Sequence, residues 1–273
     1  MANKFEEALY LGNGDRVLYS VEQISSMRKE DNNEYNQLKD HLFCPECELP
    51  HLVHHSCKTK SDYFSANPHE QHEECCSFFC NKATKTILEN VNDRPDLIKI
   101  TQRLDKCLEW FIDGIKGDQE NPVVIDHERD RDFLNMCIRN NIEQRRNYYI
   151  PRKRLIEFLD EDCTKSFRIF YGEVYVRWNK SIDKFHPHKL GIFHIKEGRW
   201  ICSVKFTDNV YSHLPAEIKT DDLSQRFRCL IAFYAKMNAD YDPNYKVVGN
   251  TFYSSVIPHS KLISFRNIVP VDG

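Results

Sequence analysis

No stretch of this chain reaches the roughly 18 consecutive apolar residues that a helix needs to cross a bilayer, which excludes membrane-spanning helices. The opening residues, MANKFEEALYLGNGD, lack the basic segment and apolar stretch of a secretory signal, so the expected compartment is the cytoplasm. Glycine is scarce, nine in 273 residues, and no G-x-S-x-G, Walker-type loop or dinucleotide fingerprint occurs. That leaves no nucleophile elbow and no glycine-rich phosphate cradle. Internal repeats and low-complexity tracts are missing too.

Cysteine, by contrast, is plentiful. Eleven are present, an odd number, and in a reducing compartment such clustering favours metal over disulfides. The sharpest element is Cys44-Pro45-Glu46-Cys47, in which two thiolates two residues apart can turn onto one cation. One such knuckle supplies half of a tetrahedral site. The other half must come from His69-Glu70-Gln71-His72-Glu73-Glu74-Cys75-Cys76-Ser77-Phe78-Phe79-Cys80, where His69, His72, Cys75, Cys76 and Cys80 are candidates and His72 with Cys76 forms H-x3-C. His51, His54, His55 and Cys57, between the clusters, read as loop residues. Four protein ligands on zinc leave no position for water, so such a metal organises the fold and leaves catalysis elsewhere. A zinc deaminase needs H-x-E ahead of P-C-x-x-C. Here the order is reversed, and His69-Glu70 and His72-Glu73 lack the intervening residue.

The hairpin ALYLGNGDRVLY, the CPEC knuckle and YFSANPHEQHEEC together resemble the N-terminal zinc-finger-like region of CoiA-type competence proteins, over about residues 6–80. The resemblance implies Cys44, Cys47, His72 and Cys76 as zinc ligands, and a role in handling incoming DNA with a nuclease-like domain after the finger. The chain departs from that pattern: the acidic residues and E-x-K of a restriction-type nuclease core are not found together. Pro95-Asp96 opens a predicted helix, and Glu217-Ile218-Lys219, far downstream, reads as a solvated turn.

Net charge is −3, yet residues 151–273 carry an excess of five positive charges and residues 1–150 an excess of eight negative ones. Residues 1–90 read as a zinc-binding module that begins with a hairpin turning at Gly12-Asn13-Gly14-Asp15. Residues 91–150 read as a helical extension. Asn92 or Asp93 caps a helix with Leu97, Ile100, Leu104, Leu108, Phe111 and Ile115 on one side until Gly117. A second starts near Asp126, with Phe133, Met136, Cys137 and Ile142 on its apolar side.

After residue 165 the period becomes two. In Phe167–Trp178 the alternation slips at Gly172, which predicts a bulge in a long, curved strand. Strands 190–195 and 199–206 join at Lys196-Glu197-Gly198. A helix is expected within 212–227, then strands at 228–237, 246–256 and 261–267. This order predicts an OB-like five-stranded β-barrel over residues 151–273, and an α+β protein overall.

One face of such a barrel's first strands offers aromatic rings and cations to a single nucleic-acid strand. Phe170, Tyr175, Arg177, Phe193, Trp200 and Lys205, with Phe206, are the candidates. The basic residues Arg145, Arg146, Arg152, Lys153 and Arg154 are candidates to extend the surface. The expected function is therefore binding of nucleic acid, single-stranded DNA first, with structural zinc. The alternatives are a CoiA-like nuclease or DNA-processing accessory factor, and an adaptor whose barrel binds a protein partner.

Overall fold

The computed structural model describes residues 4–30, 33–57, 62–72, 76, 81–82, 97–116, 137–139, 147–155, 159, 161–181, 183–220, 222–240 and 252–271. It is a mixed α+β structure, mostly sheet with few helices. Two compact units divide the chain: Met1–Ala83 with Glu109–Ile150, and Thr84–Leu108 with Pro151–Gly273. No helix among the described residues is long and apolar enough to cross a membrane.

The first unit begins with β1 (Lys4–Phe5) and the expected hairpin, β2 (Glu7–Gly12) and β3 (Asp15–Ser20). Asn13 and Gly14 both take positive φ, 54° and 84°, as a two-residue hairpin turn matched to strand twist demands. Ser20 then caps α1 (Val21–Lys29): its hydroxyl accepts from the Gln23 amide and the Gln23 side chain accepts from the Ser20 amide. Next come α2 (Asn33–Leu38), β4 (Leu42–Phe43), β5 (Leu52–His55) and β6 (Tyr63–Ala66). Two three-stranded sheets result, in the orders β3-β2-β4 and β1-β6-β5. Phe5, Tyr10, Ile24, Leu42, Leu52 and Phe64 are buried together, and Cys44 and Cys76 are buried among them.

A third small sheet joins β7 (Asn81–Lys82), β8 (Cys137–Arg139) and β9 (Asn147–Tyr149). Cys137, expected on a helix, is therefore in a strand that pairs with β9. The rest of that expected helix, with Phe133, Met136 and Ile142, lies outside the described residues, as do Asn92, Asp93 and Gly117. The helix that is described, α3, runs Leu97–Lys116 and buries Ile100, Leu104, Leu108 and Phe111 at the expected spacing.

The second unit is an eight-stranded sheet. Its strands are β10 (Arg152–Arg154), β11 (Arg168–Lys180), β12 (His188–His194), β13 (Trp200–Phe206), β14 (Arg226–Ala235), β15 (Asn238–Asp240), β16 (Phe252–Val256) and β17 (Ile263–Val271). They lie in the order β15-β16-β13-β12-β11-β14-β17, with β10 parallel to the start of β11. The expected five-stranded OB-like barrel is replaced by this open sheet: β16 occupies the far edge of β13 in parallel, and no pairing among the described residues closes the ends.

Gly172 makes no bulge. β11 pairs with β14 in unbroken register from Arg168 to Arg177. On its other edge β11 meets β10 at residues 169–171 and β12 from Val174, so Gly172 stands at the changeover. A Cβ there would lie 3.3 Å from the Leu155 amide nitrogen, at the end of β10. The apparent slip arises because residues 168–172 are buried on both faces, while from Glu173 only alternate residues are. The helix α3 is bonded to β17 and the turn before it: Asp105 accepts from Ser264 Oγ (2.6 Å) and Arg266 Nη2 (2.9 Å), and Thr101 donates to the Lys261 carbonyl (2.9 Å).

On the opposite face Trp178 donates to the Ile218 carbonyl at 2.7 Å and meets Tyr211 edge-on. The helix expected within 212–227 comes earlier, as α4 (Asp208–Ser212), because Thr207 caps it through the Val210 amide.

Candidate functional site

The backbone of residues 44–50 turns tightly. The Glu48 amide donates to the Cys44 carbonyl, the Cys44 amide donates to the Pro50 carbonyl, and Glu48 takes φ +57°. The turn brings Cys44 and Cys47 to one side. His72 is delivered by the segment after β6. There Glu70 accepts from the His51 amide (2.6 Å) and from the Asn67 side chain (2.9 Å), and the Asn67 amide donates to the His51 carbonyl. Phe5 of β1 stacks on the His72 ring, centroids 5.5 Å apart.

Cys44 and Cys76 Sγ stand 3.8 Å apart, and His72 Nδ1 lies 3.4 Å from both Cys47 and Cys76 Sγ. All four donor atoms lie within 4.8 Å of one another, so the cluster can hold a metal ion. It is the group of three or more Cys, His, Asp or Glu so disposed among the described residues. Burial pushes the Cys44 and Cys76 thiols up, while hydrogen bonds from those thiols hold Cys47 far below its ordinary value. Of the other candidates, His69 is exposed and away from the cluster. Cys75 and Cys80 lie outside the described residues.

His54 and His55 stand on β5 instead of in a loop. The His54 side chain is 1% exposed, and its Nε2 lies 3.1 Å from Ser25 Oγ, which donates to Asp62 at 2.6 Å. His54 Nδ1 has no hydrogen-bond partner among the described residues. No spacing rule relates residues 25, 54 and 62, so the network was invisible in the sequence. Burial lowers the His54 pKa. Below about pH 6.5 the unfolded chain binds a proton that the folded protein resists, so stability falls with pH until the depressed folded value is reached. Denaturant melts between pH 7 and pH 5 are expected to show this loss, and His54→Gln to flatten it.

Cross-strand partners define the exposed end of the second unit's sheet. Trp200, Phe193, Tyr175 and Arg228 form one row across β13, β12, β11 and β14. One step along, Gly191, Arg177 and Arg226 form the next, and Lys205, Lys189 and Asn179 a third. Five of the six expected binding residues therefore share one face. Phe170 does not: it is fully buried against Phe233, rings 5.3 Å apart, and no base can reach it. Phe206 is likewise buried, against Trp178.

Arg226 and Arg228 are exposed and the other side chains of the face half-buried. Arg228 pairs with Glu173 at 2.7 Å. Among the described residues no carboxylate ion-pairs with Arg177, Lys189 or Arg226. The Arg177 guanidinium rests instead over the Phe193 ring (5.3 Å) and the Lys189 ammonium over Trp200 (5.6 Å), with the two rings edge to face. Gly191 is the floor beneath them: a Cβ would meet Trp200 at 2.7 Å and Asn179 at 2.6 Å.

Arg152, Lys153 and Arg154 lie beside residues 169–171, at the other end of β11, and do not extend this face. Arg145 and Arg146 are outside the described residues. Glu217 lies within a single 3-10 turn, Ala216–Ile218, that Lys219 closes while its side chain donates to the Ser212 carbonyl, and Asp96 is not described. No family model, curated protein or solved structure matches the chain.

Proposed function

We propose that the protein binds single-stranded DNA on the exposed end of its second-unit sheet, and that its first unit is organised by structural zinc. The carrying observation is the like-charge pairing: Arg177 stands directly opposite Arg226, neither with a carboxylate partner among the described residues. Like charges facing across strands cost stability. A polyanion lying over the rows turns that cost into attraction. The rings of Tyr175, Phe193 and Trp200 in the neighbouring row favour a partner with unpaired bases.

Zinc is supported by the donor set and its dimensions. Bonds of about 2.3 Å to sulfur and about 2.0 Å to nitrogen in a tetrahedron require S···S of roughly 3.8 Å and S···N of roughly 3.5 Å. The observed separations are 3.8 and 3.4 Å. Cys44, Cys47 and Cys76 would hold the ion through Sγ and His72 through Nδ1; with four protein ligands it supplies cross-linking and no open position for water. The resemblance of residues 6–80 to CoiA-type competence proteins agrees with a role in handling DNA.

Labelled oligo-dT tests the binding. It is expected to be retarded at low salt, with log affinity falling against log salt by about 0.7 for each phosphate contacted. No retardation at low salt defeats the proposal.

A further inference from the structure

Phe185 is 83% exposed, more than any other large apolar side chain among the described residues. We propose that its ring is a stacking site for a nucleobase, held at the tip of the β11–β12 hairpin to receive a strand that runs lengthwise along the hairpin from the Arg177–Arg226 pair. This rests on the nucleic-acid reading above and adds to it a base-binding residue and a direction.

A single exposed apolar residue on a slack loop carries no message. This one is held. Asp183 Oδ1 accepts from the Phe185 amide (2.9 Å) and from the His186 amide (3.3 Å), and Asp183 Oδ2 is paired with His186 Nδ1 (2.8 Å). The Asp183 amide in turn donates to Ser181 Oγ (3.2 Å). The backbone on both sides of the ring is thus fixed with the ring in water, so stacking a base there requires little further ordering of the loop. The pairs of the hairpin give the direction: Arg177 with Gly191, Asn179 with Lys189, and last Lys180 with His188, where the loop begins. Three residues of strand, about 10 Å, separate the first of these pairs from the last. Lys189 stands one pair before the loop and has no carboxylate ion pair among the described residues. Phosphates that follow Arg177 and Lys189 along the hairpin bring a base to the ring at its end. Stacking asks for one flat face. A lipid surface instead rewards inserted apolar area, which one ring between polar neighbours, with the Asp183 carboxylate two residues away, supplies poorly.

The test measures oligo-dT and a base-free deoxyribose-phosphate chain of equal length against the full-length wild type, Phe185→Ala, Phe185→Trp and Asp183→Ala in low salt. Because the ring is exposed, Phe185→Ala should leave the melting temperature unchanged. It should weaken oligo-dT roughly fivefold to a hundredfold, keep the salt slope, and leave the base-free chain unaffected. Phe185→Trp should restore oligo-dT, and the fluorescence it adds to the wild type's should be quenched by oligo-dT and not by the base-free chain. Asp183→Ala removes a negative charge, so charge alone predicts tighter binding of both probes; a held ring predicts weaker oligo-dT. Oligo-dT binding that Phe185→Ala leaves unchanged overturns the stacking site and leaves the proposed function standing. So does an equal loss of both probes in that variant, and so does tighter oligo-dT in Asp183→Ala. Binding to phosphatidylserine vesicles that needs Phe185, with oligo-dT indifferent to it, assigns the loop to a lipid surface and overturns the site as well. Failure of the wild type to bind oligo-dT removes the function and the stacking site together.

Discussion

If zinc occupies the Cys44, Cys47, His72 and Cys76 cluster as proposed, a chelator is expected to unfold the first unit and leave the second unit's sheet intact. Cys44 and Cys76 are buried, and burial keeps both thiols protonated. Without a cation, burial opposes ionising Cys44 and Cys76, while their hydrogen bonds favour the thiolate of Cys47. With zinc all three ionise, and the knuckle at 44–47 is tied to the segment carrying His72 and Cys76. No disulfide replaces that tie, since Cys44, Cys47, Cys57 and Cys76 are all free. Structural zinc is worth about 10–16 kcal/mol at neutral pH in small modules, as much as the whole stability of an ordinary domain, about 5–15 kcal/mol. The unit's core is also small, packed around Phe5, Leu42, Leu52 and Phe64 with the ligands Cys44 and Cys76 among them.

Elemental analysis of the untreated full-length protein should give one zinc per chain. After chelation, amide exchange protection should vanish from β2 to β6 and persist in β11 and β14. Cys47→Ser should act in the same direction. Retained protection of β2 to β6 in metal-free protein would show that packing alone holds the unit.

The parts of the fold legible in the sequence were those set by local chemistry. Asn13-Gly14 can take two consecutive positive φ angles cheaply, so the first hairpin was plain. Three-and-four spacing from Ile100 to Phe111 marked α3. CPEC and H-x3-C marked the four residues of the cluster that can hold a metal ion, because two side chains at those spacings converge without help from the rest of the fold. The capping box of Ser20 and Gln23 and the Thr207 cap were also legible, and would have placed α1 and α4. What failed depended on distant partners. Gly172 looked like a bulge because residues 168–172 are buried on both faces, and nothing in the strand itself announces that cover. Sheet closure failed for a like reason, since the parallel docking of β16 on β13 is set by the intervening chain. Phe170 and Tyr175 are both aromatic β11 residues, yet only the register with β14 and β12 tells which one faces out.

Reversing Arg177, Lys189 and Arg226 together to Glu is expected to abolish strand binding at physiological salt. These three are chosen because they lack carboxylate partners among the described residues, whereas Arg228 is already neutralised by Glu173 at 2.7 Å and should matter less on its own. Each lost phosphate contact takes about 0.7 from the salt slope, so the triple variant should lose about 2, and its affinity should fall roughly a thousandfold. The fold should not suffer further, because in the Glu variant like charges still face each other at positions 177 and 226, as they do in the wild type. A Gln triple variant, which relieves that repulsion, should therefore melt at or above the wild-type temperature while still losing most of its binding. The control reverses Lys39, Lys165 and Lys261, exposed residues off the three rows, and changes net charge equally. Equal losses in both triple variants would mean that bulk charge governs association and the rows do not. A loss confined to the first assigns binding to this face, since at physiological ionic strength screening over about 8 Å separates one surface from another.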